Sequence, residues 1–183
     1  LKGLNYGLSG NVMKSHSTSV FLWDNLNEGL YRPMPNTMTN TIGTQFYLDP
    51  FVEYTGPKGT RHSLHGRWYR QDFENDNNQS NANDMLYGEY QYQEKFEFFG
   101  PTTVTLGVTG QQVSSHSVLY VGDGGGDGEN TATNLAGYLQ VDKKLMGKVA
   151  VSAGVRYEQF TVNDFKQAEP VFRAGATYQM FEG

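Results

Sequence analysis

The chain contains no cysteine, which excludes both a disulfide framework and a thiolate metal site. Only 37% of its 183 residues are hydrophobic and its mean hydropathy is −0.58. No run approaches the roughly 18–20 consecutive apolar residues of a membrane-spanning helix. Positive charge is sparse: 14 Lys and Arg against 19 Asp and Glu give a net charge of −5. The basic residues are scattered rather than gathered into a patch, so no nucleic-acid partner is expected. A nucleophile elbow, a phosphate loop and an H-E-x-x-H zinc motif are all missing. Neither an enzymatic activity nor a cofactor is expected.

What the chain has in quantity is Gly (22), Tyr (12) and Phe (11), a composition that favours an all-β protein. Alternation with period two recurs along it and predicts about eight strands: residues 2–13, 45–55, 61–72, 85–96, 102–113, 132–143, 148–162 and 171–180. Each matches the ~9–11 residues of a tilted membrane-crossing strand and exceeds the usual ~5–6 of soluble sheets. Tight turns at 56–59, 99–101 and 145–147 alternate with polar stretches at 14–44, 73–84, 114–131 and 163–169. Successive strands are then antiparallel neighbours in meander order, with short turns at one end and long loops at the other. That asymmetry is characteristic of outer-membrane barrels, with short periplasmic turns and long extracellular loops.

Charge parity sharpens the reading. Asp49, Glu53, Arg67, Glu89, Arg156, Glu158 and Arg173 all fall on the polar face of their strands, and Leu, Val, Ala and Gly occupy the other. Arg or Lys at the lipid midplane costs roughly 2–4 kcal/mol and less near the interfaces, so such exclusion suits a lipid-facing surface. The exceptions, His62, Arg70, Glu94 and Lys143, lie near strand ends. Phe46, Tyr54, Trp68, Tyr92, Tyr157, Phe172 and Tyr178 lean toward the ends of the apolar face, as interfacial girdles do. The turn at 56–59 pairs the second and third strands and sets Asp49 opposite His65 or Arg67. A soluble antiparallel barrel or sandwich with its apolar face inward produces the same alternation, so period alone leaves that alternative open.

The stretch GYLQVDKKLMGKVAVSAGVRYEQF followed by PVFRAGATYQ resembles the barrel of TonB-dependent outer-membrane receptors. The features that carry the resemblance are Tyr138 and Gln140, the turn at Lys143 and Lys144, and the closing run Gly154, Val155, Arg156, Tyr157, Glu158. Upstream, DPFVEYTGPKGTRHSLHGRWYRQ and LYGEYQYQEKF look like receptors of the Bacteroidota type. The resemblance implies an internal segment of a 22-stranded barrel in a bacterial outer membrane. It further implies uptake of a scarce nutrient such as a siderophore, cobalamin, a glycan or a peptide. Nothing in the chain matches a plug domain or a TonB-contacting segment, and it closes on MFEG rather than on a final aromatic. Residues 1–183 are therefore expected to be a partial barrel, about a third of the whole, unable to transport alone. The implied partners are membrane lipid and lipopolysaccharide, the rest of the barrel and its plug, the TonB complex through segments outside the chain, and a surface lipoprotein. Two other readings stand beside it: a complete eight-stranded membrane barrel of structural or adhesin kind, and a soluble lipocalin-like barrel whose apolar face lines a ligand cavity.

Candidate site residues are few. His62 and His65 fall on opposite faces of one strand, so they cannot pair on a metal, and His16 and His116 are expected in solvated loops. The acidic members of the Gly122–Asn130 run, Asp123, Asp127 and Glu129, are the nearest approach to a Ca²⁺ site. Their spacing fits no EF-hand loop and the run occurs once, so a flexible loop tip is the preferred reading. The Asn-rich run at 75–83 reads as solvated loop, with sugar contact as the alternative. Phe21, Trp23 and Tyr31 are loop aromatics able to stack on a ligand or on one another. The seven polar-face charges either ladder across the barrel wall or line a ligand path.

Overall fold

Side chains that alternate between two environments impose an extended backbone, and the computed structural model is built almost wholly of such segments. It describes residues 2–25, 27, 31–121, 128–145 and 147–180. Eight strands, β1 (Leu4–Val20), β2 (Met38–Thr55), β3 (Arg61–Asn75), β4 (Asn81–Glu97), β5 (Pro101–Ser117), β6 (Glu129–Leu145), β7 (Val149–Val162) and β8 (Phe165–Tyr178), follow one another. They form a single antiparallel meander in the order β1 to β8. Among the described residues there is no α-helix, only a 3₁₀ turn at Val118–Tyr120. The sheet is open, with β1 at one edge and β8 at the other, so it does not form the closed eight-stranded barrel of the first alternative.

The strands run further than the alternation predicts, and almost always toward the loop end. β1 continues to Val20, β2 begins at Met38, β4 at Asn81, and β8 at Phe165. The connection expected at 14–44 contracts to 21–37, and that expected at 73–84 to 76–80. The one expected at 163–169 becomes a two-residue turn, Asn163–Asp164, with Asn163 at φ 49°. His16 and His116 consequently lie in strands, not loops. In stretches such as KSHSTSV both faces are polar, so no contrast exists for a periodicity argument to detect. The ladder simply carries on from the apolar part below: Lys14 to Val20 pair residue by residue with Thr44 to Met38. At about 3.3 Å per residue, a 17-residue strand is about 56 Å long. A tilted strand of an outer-membrane barrel needs only ~9–11 residues to cross. The excess is the polar extension.

The Asn-rich run is part of this extension. Asn40 donates to Asp76 (2.7 Å), Thr41 to Asn75 (2.6 Å) and Asn75 to the Gln79 carbonyl (2.7 Å), so its side chains close the β3–β4 hairpin and tie it to β2. The β1–β2 connection is also ordered where described. Phe21 pairs with Thr37 and Asp24 with Arg32 through the backbone, while Trp23 and Tyr31 meet edge to face at 6.1 Å.

No core separates the two faces, but they differ in curvature. Leu64, Leu86, Val108 and Leu135 on the apolar face are 52%, 55%, 57% and 52% exposed. Ser63, Thr105 and Ala136 on the polar face are 5%, 7% and 8% exposed. Side chains on a concave face converge and screen one another, and those on a convex face diverge. The polar face is therefore the concave one, the reverse of a lipocalin-like barrel.

Candidate functional site

Register places all seven predicted charges on the concave face. Glu89 stands opposite His65 and Thr109, Thr109 opposite Ala136, and Ala136 opposite Glu158. One row nearer the short turns, Glu53, Ser63, Gln91, Gly107, Tyr138, Arg156 and Val171 are aligned across six further pairings. Arg173 sits opposite Gly154 and makes no ion pair among the described residues.

Two clusters organise this face. The first crosses β2 and β3, where Pro50 has no N–H to give. The ladder between the two strands skips from Leu48–Trp68 to Phe51–His65, as a proline inside a sheet requires. Arg67 spans the gap with a two-pronged contact to Asp49, Nε to Oδ1 at 2.7 Å and Nη2 to Oδ2 at 2.5 Å. That fork matches a carboxylate as an ammonium cannot. The guanidinium also lies 5.5 Å over the Tyr47 ring. Below it, Glu53 accepts from Arg61 at 2.6 Å and lies 3.8 Å from His65, which stacks on Phe51. Ser9, Phe51, Met85, Tyr87 and Gln111 help to line a concavity of about 430 Å³ beside the Asp49–Arg67 pair.

The second cluster spans four strands. Tyr138 on β6 reaches over β5 to donate to Glu89 on β4 (2.8 Å) and to accept from Gln91 (3.0 Å). Tyr87 donates to the other Glu89 oxygen at 2.8 Å. Arg156 on β7 reaches back to Thr109 on β5 (3.2 Å) and pairs with Glu158 at 3.1 Å, which also accepts from Asn134 at 2.8 Å. The lateral reach of Tyr138 depends on Gly107. A Cβ there would lie 2.1 Å from the tyrosine Cζ and 2.4 Å from its hydroxyl oxygen. Acids and bases are thus paired with each other or with tyrosine, amide and threonine groups, which offsets their partial burial. The result is a polar wall of mixed sign.

The predicted girdle aromatics lie on the convex face. Phe46 and Trp68 meet edge to face at 5.1 Å, and Trp68 donates to Asp84 at 3.1 Å. Because β2 and β3 extend past their expected ends, both rings sit at mid-strand rather than toward an end. Near the short turns Tyr54 and Tyr92 flank His62, whose Nδ1 is 2.8 Å from the Tyr90 hydroxyl, and Tyr92 donates to Glu94 at 2.5 Å. Tyr157, Phe172 and Tyr178 share the row positions of Gly137, Val155 and Val149. From the row of Phe46 onward the same face turns polar, with Arg70 and Asp84 in that row and Asp72 and Glu74 beyond it. Asp123 and Asp127 lie outside the described residues. Glu129 opposes His116, 2.7 Å from its Nδ1, and no cluster of three metal-ligating side chains occurs among the described residues.

A meander sheet with a convex apolar face and a hydrogen-bonded concave face has the architecture of a slice of an outer-membrane-type β-barrel wall. Solved structures bear this out at the level of fold. The alcaligin outer-membrane receptor FauA from Bordetella pertussis superposes on all of the chain with a TM-score of 0.63 at 11% identity. A chain of the FpvAI–pyocin S2 complex superposes on 97% of it with a TM-score of 0.65 at 9% identity. The chain spans about a third of each, 31% and 32% respectively. No family model and no curated protein matches it by sequence.

Proposed function

We propose that this chain is part of the barrel wall of a TonB-dependent receptor that carries a scarce nutrient across a bacterial outer membrane. On this reading it supplies eight strands of a barrel of 22 around a plugged lumen. The short turns face the periplasm and the longer connections face outward. The observation that carries the reading is the polarity of curvature: apolar residues lie on the convex side, where only lipid can cover them, and hydrogen-bonded charges on the concave side. The solved receptors that share the fold support it, as do the girdle aromatics and the motif around Gly154–Glu158. The rest of the barrel extends the two open edges at β1 and β8, and the plug packs against the concave network. The TonB complex acts through the plug, and lipopolysaccharide surrounds the polar extension. A surface lipoprotein partner and the Bacteroidota-type likeness belong to the same proposal. The nutrient is a siderophore, cobalamin, a glycan or a peptide.

The test is energised uptake by cells carrying the full-length protein. Accumulation of one of these nutrient classes should require both the protein and an intact TonB complex, with the protein recovered in the outer-membrane fraction. Recovery in the soluble fraction, or uptake unaffected by loss of TonB, would overturn the reading.

A further inference from the structure

At the short-turn end of the convex face the structure holds a cation among aromatic rings. Lys143 opposes Thr102 on β5 and Val151 on β7, and its parity is that of Leu139 and Val141, so it faces outward. Its ammonium lies 4.9 Å from the centre of the Phe98 ring and 5.8 Å from that of Phe99. The two rings meet edge to face at 4.9 Å and remain 57% and 87% exposed. Because Lys143 is outward, the β4–β5 turn must lean its rings to the lipid side as well. The turn is held in that posture. Phe99 and Gly100 take φ 51° and 109°, and a Cβ on Gly100 would come within 2.8 Å of the Lys144 carbonyl oxygen. The Thr102 hydroxyl, nearly buried, donates to the carbonyls of Phe98 and Gly100.

Cation–π contact leaves the three ammonium donors free for an anion. No carboxylate lies within ion-pair distance of Lys143 among the described residues. Glu94, an acid on the same face two strands away, is engaged by Tyr92. Directly below, Val104, Val141 and Ala153 form an aliphatic row along which an acyl chain can lie. We propose that Lys143, Phe98 and Phe99 form a binding site for one phospholipid of the periplasmic leaflet, with Lys143 gripping its phosphate and the two rings its glycerol backbone. The inference rests on the membrane orientation proposed above.

The test uses the full-length protein in detergent and native mass spectrometry with phosphatidylglycerol or with diacylglycerol of the same chains, which lacks the phosphate. One phosphatidylglycerol should be retained about tenfold more tightly than diacylglycerol, the scale of a charge-assisted hydrogen bond. Lys143→Gln should erase that preference, Lys143→Arg should keep it, and Phe98→Ala with Phe99→Ala should weaken it severalfold. Unchanged heat-modifiable electrophoretic mobility would show that each variant is folded. Equal retention of the two lipids, or a Lys143→Gln variant that binds as the parent does, would overturn the proposal. If the membrane reading itself were wrong, the protein would stay folded in solution without detergent and retain neither lipid.

Discussion

Gly107→Ala is a one-carbon change whose consequence runs through another strand. The new Cβ would stand 2.1–2.5 Å from three atoms of the Tyr138 ring and hydroxyl. Those atoms are the far end of a side chain, so the backbone need not move. The ring swings aside instead, and the loss is that of its hydrogen bonds to Glu89 and Gln91. A net bond to a charged acceptor is worth about 1.5–3 kcal/mol and a neutral one about 0.5–1.5 kcal/mol. Against this, alanine is about 0.5–1 kcal/mol better than glycine inside a strand. The balance is a destabilisation of about 1–4 kcal/mol. The decisive assay is a double-mutant cycle read by urea unfolding in detergent, with tryptophan emission as the signal. On a Tyr138→Ala background the space is empty, and Gly107→Ala should become neutral or stabilising. If Gly107→Ala costs as much without the tyrosine as with it, the lateral reach of Tyr138 is not what Gly107 provides.

Two further substitutions probe the faces and the proline gap. Val108→Arg places a charge on the convex face within the apolar band and should reduce folding into lipid vesicles, at a cost of about 2–4 kcal/mol. Gln111→Arg, on the concave face, should fold nearly as well as the parent, and equal defects would contradict the assignment of faces. Asp49→Ala and Arg67→Ala should each lower the thermal midpoint modestly, and the double variant by much less than their sum, because one ion pair bridges the ladder break at Pro50. Additive losses, or losses insensitive to salt, would show that the pair does not act as a clasp.

Much of the fold was legible because two solvents leave a strong imprint. Within the apolar band, Leu86, Gly88 and Tyr90 against Tyr87, Glu89 and Gln91 declare both strand and face. Asp49 and Arg67 could be matched because the tight turn at 56–59 fixes the register of the strands it joins. Where both faces meet water, as from Lys14 to Val20, the imprint vanishes, and the strand ends were drawn too short. The Tyr138–Glu89–Gln91 contact was illegible for a different reason. It spans two strand boundaries, and β5 and β6 are joined by a long connection that fixes no register. A tyrosine at a polar-face position was visible, but that it faces Gly107 was not. His65, Arg61 and Tyr47 were likewise on the right strands without any signal of their partners.

The central claim is that the convex face meets lipid and the concave face does not. Residues 1–183 contain no cysteine. With any cysteine elsewhere in the full-length protein replaced, single cysteines for spin labels can be introduced along β5 at residues 104–111 and read in lipid vesicles. The account predicts period-two oxygen accessibility, high at 104, 106, 108 and 110, where dissolved oxygen concentrates in lipid, and low at 105, 107, 109 and 111. Accessibility without alternation, or with the two sets exchanged, would contradict it.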